Sequence, residues 1–154
     1  MDTVDVATRS RIMAAVGQRN TAPEVALRKA LHASGIRYSL HRRDLPGSPD
    51  IVCARHRAVI FVHGCFWHGH GCRLSKIPAN RADFWAKKFS DNRLRDQRIE
   101  ATLIAQGWRV AVVWQCVLNA RMITKIAGRL EKWLRGQRKK LNCGTHRQCV
   151  TTKM

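Results

Sequence analysis

Two runs of the chain, AVIFVH at 58–63 and RVAVVW at 109–114, are apolar at nearly every position. A strand with one wet face alternates apolar and polar residues, so a run apolar on both faces belongs in the centre of a covered sheet. Between them stands RADFWAKKFSDNRLRDQRIEATLIAQG. Its Trp85, Phe89, Ile99 and Leu103 can share one helical face and its Gly107 marks an end, although the polar SDNRLRD threatens to interrupt it. Strand, long helix and strand in this order form a parallel crossover, expected to be right-handed.

The flanking segments fit the same frame. TRSRIMAAV at 8–16 reads as a short basic helix. In TAPEVALRKALHASG, Thr21 suits an N-cap, Pro23 the first turn, Glu24 a capping box with Thr21, and Gly35 the stop. IRYSLHR alternates Ile36, Tyr38 and Leu40 as a half-buried strand does. DIVCARHRAVIFVHGC reads as two strands around a tight reversal near residues 55–57. Asn119 caps a last amphipathic helix with Met122, Ile126, Leu130, Trp133 and Leu134 on its core side. The expected fold class is α/β, with a mixed central sheet flanked by helices. One domain is expected over residues 1–135, followed by a basic tail without structure over 136–154, where apolar residues are few.

Charge narrows the function. Lys and Arg number 29 against 10 Asp and Glu, a net +19, and ten of the basic residues lie from Arg121 onward against one acid, Glu131. A chain this basic points to a polyanion, nucleic acid ahead of an anionic membrane. No apolar run is long enough to span a bilayer, and MDTVDVATRSR has no apolar signal core, so the expected location is the cytoplasm, on the nucleoid. In a reducing compartment the six cysteines read as metal ligands or free thiols rather than disulfides.

The stretch VHGCFWHGHGC, 62–72, concentrates those ligands. Cys65, His70 and Cys72 lie on one loop that Gly64, Gly69 and Gly71 make permissive, with His68 a rival ligand that the spacing does not exclude. If the two apolar strands are parallel neighbours, Cys116 at the end of the second falls beside Cys65. That completes a structural zinc site of three cysteines and one histidine. Cys143, His146 and Cys149 are ligand-like too, but a tail without a core supplies only three, and Cys53 reads as core.

Other residues suit phosphodiester chemistry. The hairpin brings Asp50 close to the backbone around Val62. A carboxylate at a sheet edge can hold Mg²⁺, and His63 or His68 can move a proton. Phe66 and Trp67, in a loop where a core is not normally built, suit a wedge between DNA base steps. Taken singly, Asp50, His63, Glu24 and Asp96 each have a structural reading; the combination on so basic a chain favours a nuclease.

TRSRIMAAV, LPGSPDIV, HGCFWHGHGC, FWAKK, Arg95–Asp96 and GWRVAVVWQC together resemble the very short patch repair DNA mismatch endonucleases, in the same order from about residue 5 to 135. The resemblance implies a restriction-endonuclease-like three-layer fold of the PD-(D/E)xK superfamily. It implies a strand-specific nick 5′ to the thymine of a T:G mismatch, which arises when 5-methylcytosine deaminates, with Mg²⁺ for cleavage and zinc for structure. Carried over by position, Asp50 and the carbonyl of residue 62 are Mg²⁺ ligands, His63 and His68 flank the scissile phosphate with His68 the base, and Glu24 and Asp96 support them. Cys65, His70, Cys72 and Cys116 hold zinc. Phe66, Trp67 and Trp85 insert beside the mismatch, and the N-terminal helix with Met13 grips DNA from the other groove. A monomer acting on double-stranded DNA, with downstream repair proteins following, completes the expectation. Val62 stands where a close relative has threonine, a change a backbone ligand survives. The acid-x-Lys of the wider superfamily is replaced by Phe61-x-His63, so histidine must serve for lysine. A zinc DNA-binding module without catalysis and a restriction enzyme for intact sites are the alternatives.

Overall fold

The computed structural model describes Asp5, Ala7, Thr8, Arg11 and residues 20–144. Most of the expected helix over 8–16, including Met13, lies outside the described residues, as do His146 and Cys149. Five strands form one sheet in the order β1 (Ser39–Leu40), β2 (Ile51–Cys53), β3 (Ala58–His63), β4 (Arg109–Trp114) and β5 (Lys140–Cys143). The pairs β1–β2 and β2–β3 are antiparallel, whereas β3–β4 and β4–β5 are parallel, so the sheet is mixed. The two apolar runs are the parallel pair β3–β4 that their patterning demands.

Both faces of the sheet are covered. Ile51, Cys53, Ala58, Ile60, Ala111 and Val113 point to one core, shared with helix α1 (Ala22–Ala33) and helix α3 (Ile123–Arg135). Alternate residues Val52, Val59, Phe61, Val110 and Val112 point to a second core, closed by Leu103 of helix α2 (Ala82–Ala105). Period-2 alternation on strands buried on both sides thus gives three layers. Leu27, Leu31, Leu130 and Leu134 are fully buried between α1, α3 and the sheet, each worth about 1.5–3 kcal/mol of apolar burial. Among the described residues no helix is long and apolar enough to cross a membrane.

Helix α2 runs unbroken through SDNRLRD. Its Trp85, Phe89 and Leu103 are buried, and most of the polar stretch is open to solvent, while Asn92 and Asp96 turn to the loop after β3: Asn92 Nδ2 donates to the Trp67 carbonyl at 2.8 Å. Four other expectations need correcting. No capping box forms at α1, because Thr21 makes no side-chain cap bond and Glu24 is turned into the protein at 2% exposure. The expected strand over 36–42 shrinks to Ser39–Leu40 with Leu40 at 40% exposure; Ile36 is buried, and the Tyr38 hydroxyl donates to the Arg28 carbonyl at 2.9 Å. Asn119 caps a turn ahead of α3 rather than the helix itself, its Oδ1 accepting from the amides of Arg121 and Met122 at 3.1 and 3.0 Å. Nor is the segment from 136 onward a tail throughout. Lys140–Cys143 pairs with Val110–Val113, buries Cys143 completely, and places Lys140 Nζ 3.2 Å from Glu100 Oε2 on α2. The open backbone of β4 supplies the reason, since buried amides and carbonyls there need partners.

Candidate active site and metal centre

The parallel register sets His63 opposite Trp114, so the chain leaves β3 and β4 at the same sheet edge. After β3 the loop turns back at once, with the Gly69 amide donating to Phe66 O at 3.2 Å and the His70 amide to Cys65 O at 3.1 Å. Gly69 sits at φ 55°, and a Cβ there would lie 3.0 Å from Phe89 Cβ, so the turn both permits and requires glycine. After β4 a one-turn 3-10 helix, Gln115–Val117, carries Cys116 inward.

One donor atom from each of Cys65, His70, Cys72 and Cys116 lies within 4.8 Å of the other three. His70 Nδ1 is 3.7 Å from Cys116 Sγ, and the Cys116 amide donates to Cys65 Sγ at 3.3 Å. Bonds of about 2.3 Å to a tetrahedral zinc place sulfur ligands roughly 3.7 Å apart, so this cluster has the size and donor set of such a site. Hydrogen bonding from Cys116, acting against burial, pulls the Cys65 thiol down to about 5, toward the thiolate that binds metal. Ser75, unremarked in the sequence, is 6% exposed and ties the far end of the loop, accepting from the Gly71 amide at 2.7 Å and donating to Cys72 O at 2.8 Å.

His68, which spacing left interchangeable with His70, faces elsewhere. Its Nδ1 lies 2.6 Å from Asp96 Oδ2 on α2, short of hydrogen-bond alignment, and its ring stacks on His63 with centroids 4.1 Å apart and planes 4° from parallel. Burial pushes His63 down to about 3, and the neighbouring His68 adds to the effect, so His63 is a neutral imidazole. Burial raises the Asp96 carboxyl, but the contact with His68 and the nearby Arg95 charge help to outweigh it and hold Asp96 below its ordinary value.

Asp50 stands at the start of β2 and accepts the Val62 amide on Oδ2 at 2.7 Å. Burial raises its carboxyl to about 6; the nearby Glu24 charge adds to the shift, while the Val62 amide and Arg28 oppose it. Asp50, Phe61, His63, His68, Arg95 and Asp96 line one open cleft of about 420 Å³. Glu24 and His41, which do not line that cleft, also approach Asp50, and one donor atom from each of the three lies within 4.8 Å of the others. His41 drew no notice in the sequence, because a lone histidine beside a turn has no pattern to mark it.

The aromatics pack on each other. Phe66 meets Trp67, Trp85 and Phe89 edge-on at 5.3, 5.2 and 5.7 Å, and Lys88 Nζ sits 5.7 Å from the Trp67 ring and 5.8 Å from that of Trp85. Trp85 is 9% exposed, so it forms the floor of this cluster, whereas Phe66 and Trp67 are half-buried above it. Trp114 went unnoticed as well. Its indole stacks on His70 at 4.0 Å and meets His63 edge-on at 5.1 Å, forming a wall between the cysteine cluster and the histidine pair.

Residues 1–74 match the family model described as DNA mismatch endonuclease Vsr. The chain is 59% identical over 111 residues to the type II nicking enzyme V.XorIIP of Xanthomonas oryzae pv. oryzae, covering 72% of this chain and 82% of the relative. To the DNA mismatch endonuclease Vsr of Escherichia coli K12 it is 44% identical over 139 residues, 88% and 89% of the two chains. To the type II nicking enzyme V.NmeAIP of Neisseria meningitidis serogroup A it is 39% identical over 124 residues, 80% and 89%.

Proposed function

The chain belongs to the Vsr family of DNA mismatch endonucleases, and from that premise we propose that it nicks one strand of duplex DNA 5′ to the thymine of a T:G mismatch. The observation that carries this reading is the convergence of Asp50, His63, His68 and Asp96 on one cleft of a chain of net charge +19. The fold fits the restriction-endonuclease-like PD-(D/E)xK superfamily, with Phe61-x-His63 in place of acid-x-Lys. Such a nick opens very short patch repair of deaminated 5-methylcytosine. The enzyme works as a monomer on the nucleoid and hands its product to downstream repair proteins.

Asp50 and the carbonyl of Val62 would hold Mg²⁺. The fit rests on hard oxygen donors and on Glu24, whose buried Oε1 has no hydrogen bond. When bound, Mg²⁺ supplies Lewis-acid polarisation of the phosphate and a more acidic water. Asp96, 2.6 Å from His68 Nδ1, favours the proton on that nitrogen, which leaves Nε2 to accept a proton from the attacking water. Neutral His63, stacked beneath, offers an N–H to a phosphate oxygen without adding charge. The water oxygen bonds to phosphorus as the P–O bond to the upstream sugar breaks, and the departing 3′ oxygen takes a proton from solvent. Glu24 supports Asp50 from behind. Cys65, His70, Cys72 and Cys116 would hold zinc, which pins the loop so that Phe66 and Trp67, backed by Trp85, form a rigid wedge for a mispaired step, cheaper to unstack than a paired one. Met13 is assigned to the opposite groove.

The test uses labelled duplexes that carry T:G or a full pair at one position, with protein and Mg²⁺. A nick confined to the thymine strand of the T:G duplex is expected. Cutting of the paired duplex would make the protein a restriction enzyme, and binding without cutting under every metal would make it a DNA-binding module.

A further inference from the structure

Glu24 is 2% exposed, and its Oε1 accepts no hydrogen bond. Its nearest guanidinium, Arg28 Nη1, stands off at 3.9 Å and instead donates to Asn20 Oδ1 at 2.9 Å. The closer neighbour is His41, whose Nε2 lies 3.1 Å from Glu24 Oε1 and is likewise buried without a hydrogen bond. The two atoms are within ion-pair distance but misaligned for a hydrogen bond, and a shared cation would satisfy both. Asp50 completes the set, with one donor atom of each residue within 4.8 Å of the other two. An ion about 2.0–2.2 Å from each donor bridges separations up to roughly 4.4 Å, and Glu24 Oε1 and His41 Nε2 at 3.1 Å lie well inside that reach. His41 is also held in place. Its backbone sits at φ 47°, and its amide donates to the Asp50 carbonyl at 3.4 Å, so imidazole and carboxylate ride on paired backbone.

We propose that His41 is a nitrogen ligand to a divalent cation shared with Glu24 and Asp50, and that Mn²⁺ or Co²⁺ is therefore preferred there over Mg²⁺. The proposal rests on the reading that Asp50 holds the catalytic cation, and it adds a donor that neither the sequence patterns nor the cleft lining singled out. Imidazole suits first-row transition ions, whereas Mg²⁺ favours oxygen ligands and retains its waters. Glu24 then acts as a ligand in its own right, and its buried oxygen is satisfied by the ion.

The experiment loads the full-length, zinc-containing protein with Mn²⁺ and records pulsed electron paramagnetic resonance, which detects a directly bound imidazole nitrogen. Mn²⁺ and Mg²⁺ affinities are measured by titration alongside. In the wild type a nitrogen coupling is expected. In His41→Gln the coupling should vanish and Mn²⁺ binding weaken about 10–100-fold, while Mg²⁺ binding changes far less. Should His41→Gln fail to retain zinc, Glu24→Gln carries the contrast, with weaker Mn²⁺ binding and a nitrogen coupling that persists. A coupling that survives His41→Gln but disappears in His68→Gln, or no coupling in the wild type, overturns the assignment of His41; if Asp50→Asn still abolishes Mn²⁺ binding, the reading of Asp50 stands. Mn²⁺ binding that survives Asp50→Asn overturns both.

Discussion

Replacing Asp50 by asparagine should make the metal-free protein more stable while ending its nicking. A carboxyl whose ordinary value is 3.8 is held at about 6 by burial. The folded protein therefore binds this proton more tightly than the unfolded chain, and stability falls as pH rises from about 4 to about 6, then stays lowered. At about 1.4 kcal/mol per tenfold change in proton affinity, the ionised carboxylate costs roughly 3 kcal/mol at pH 8. Asparagine retains an acceptor for the Val62 amide, which Asp50 Oδ2 meets at 2.7 Å, and carries no charge to desolvate. The assay is urea unfolding of zinc-loaded wild type and Asp50→Asn, without added Mg²⁺, from pH 4 to pH 8. The two curves should nearly coincide at the acid end and separate by as much as about 3 kcal/mol at pH 8, with the variant the more stable. Adding Mg²⁺ should then stabilise the wild type alone, since only a native state with a ligand gains from mass action. A variant no more stable than the wild type at pH 8 would refute the argument that Asp50 is a charge held at a cost until a cation arrives.

Cys116→Ser should reduce bound zinc well below the one ion per chain expected of the wild type and lower the thermal midpoint; unchanged zinc content would remove Cys116 from the ligand set. Asp96→Asn should slow nicking by about 10²–10⁴-fold with binding of T:G duplex retained, because His68 loses the carboxylate 2.6 Å from its Nδ1; a rate within a few-fold would show that His68 needs no orienting partner. Ending the chain at residue 136 should lower the unfolding temperature and promote aggregation, as β4 loses its partner strand and Cys143 its place in the core; light scattering and thermal unfolding read both, and an unaltered midpoint would mean β5 is dispensable. Duplex affinity should fall steeply with salt, by about 10³–10⁵ between 50 and 200 mM if 6–10 phosphates are contacted.

The centre of the fold was legible in the residues. Two runs apolar on both faces with a long helix between them allow few arrangements, and the parallel pairing of β3 and β4 brings Cys116 to Cys65 as that pairing demands. What escaped had weak local signals or remote partners. KLNC has two apolar residues in four and became a strand only because the edge of β4 was available. Spacing on the loop treats His68 and His70 alike; the difference lies in Asp96, an acid on another element. The polar stretch of α2 looked like an interruption because its partners, Trp67 O and His68, lie on the loop rather than on the helix. Glu24 satisfied the pattern of a capping box, and tertiary contact with His41 overrode it.

Trp114 ties together the fortunes of two chemistries. One indole face meets a histidine of the cysteine cluster, and an edge meets the histidine pair. A substitution at this position is judged twice, by the loop that needs anchoring and by the rings that need a fixed wall. The same indole can report on both neighbours: an ion held by the cysteines and a shift of the His63 and His68 rings should each alter its emission.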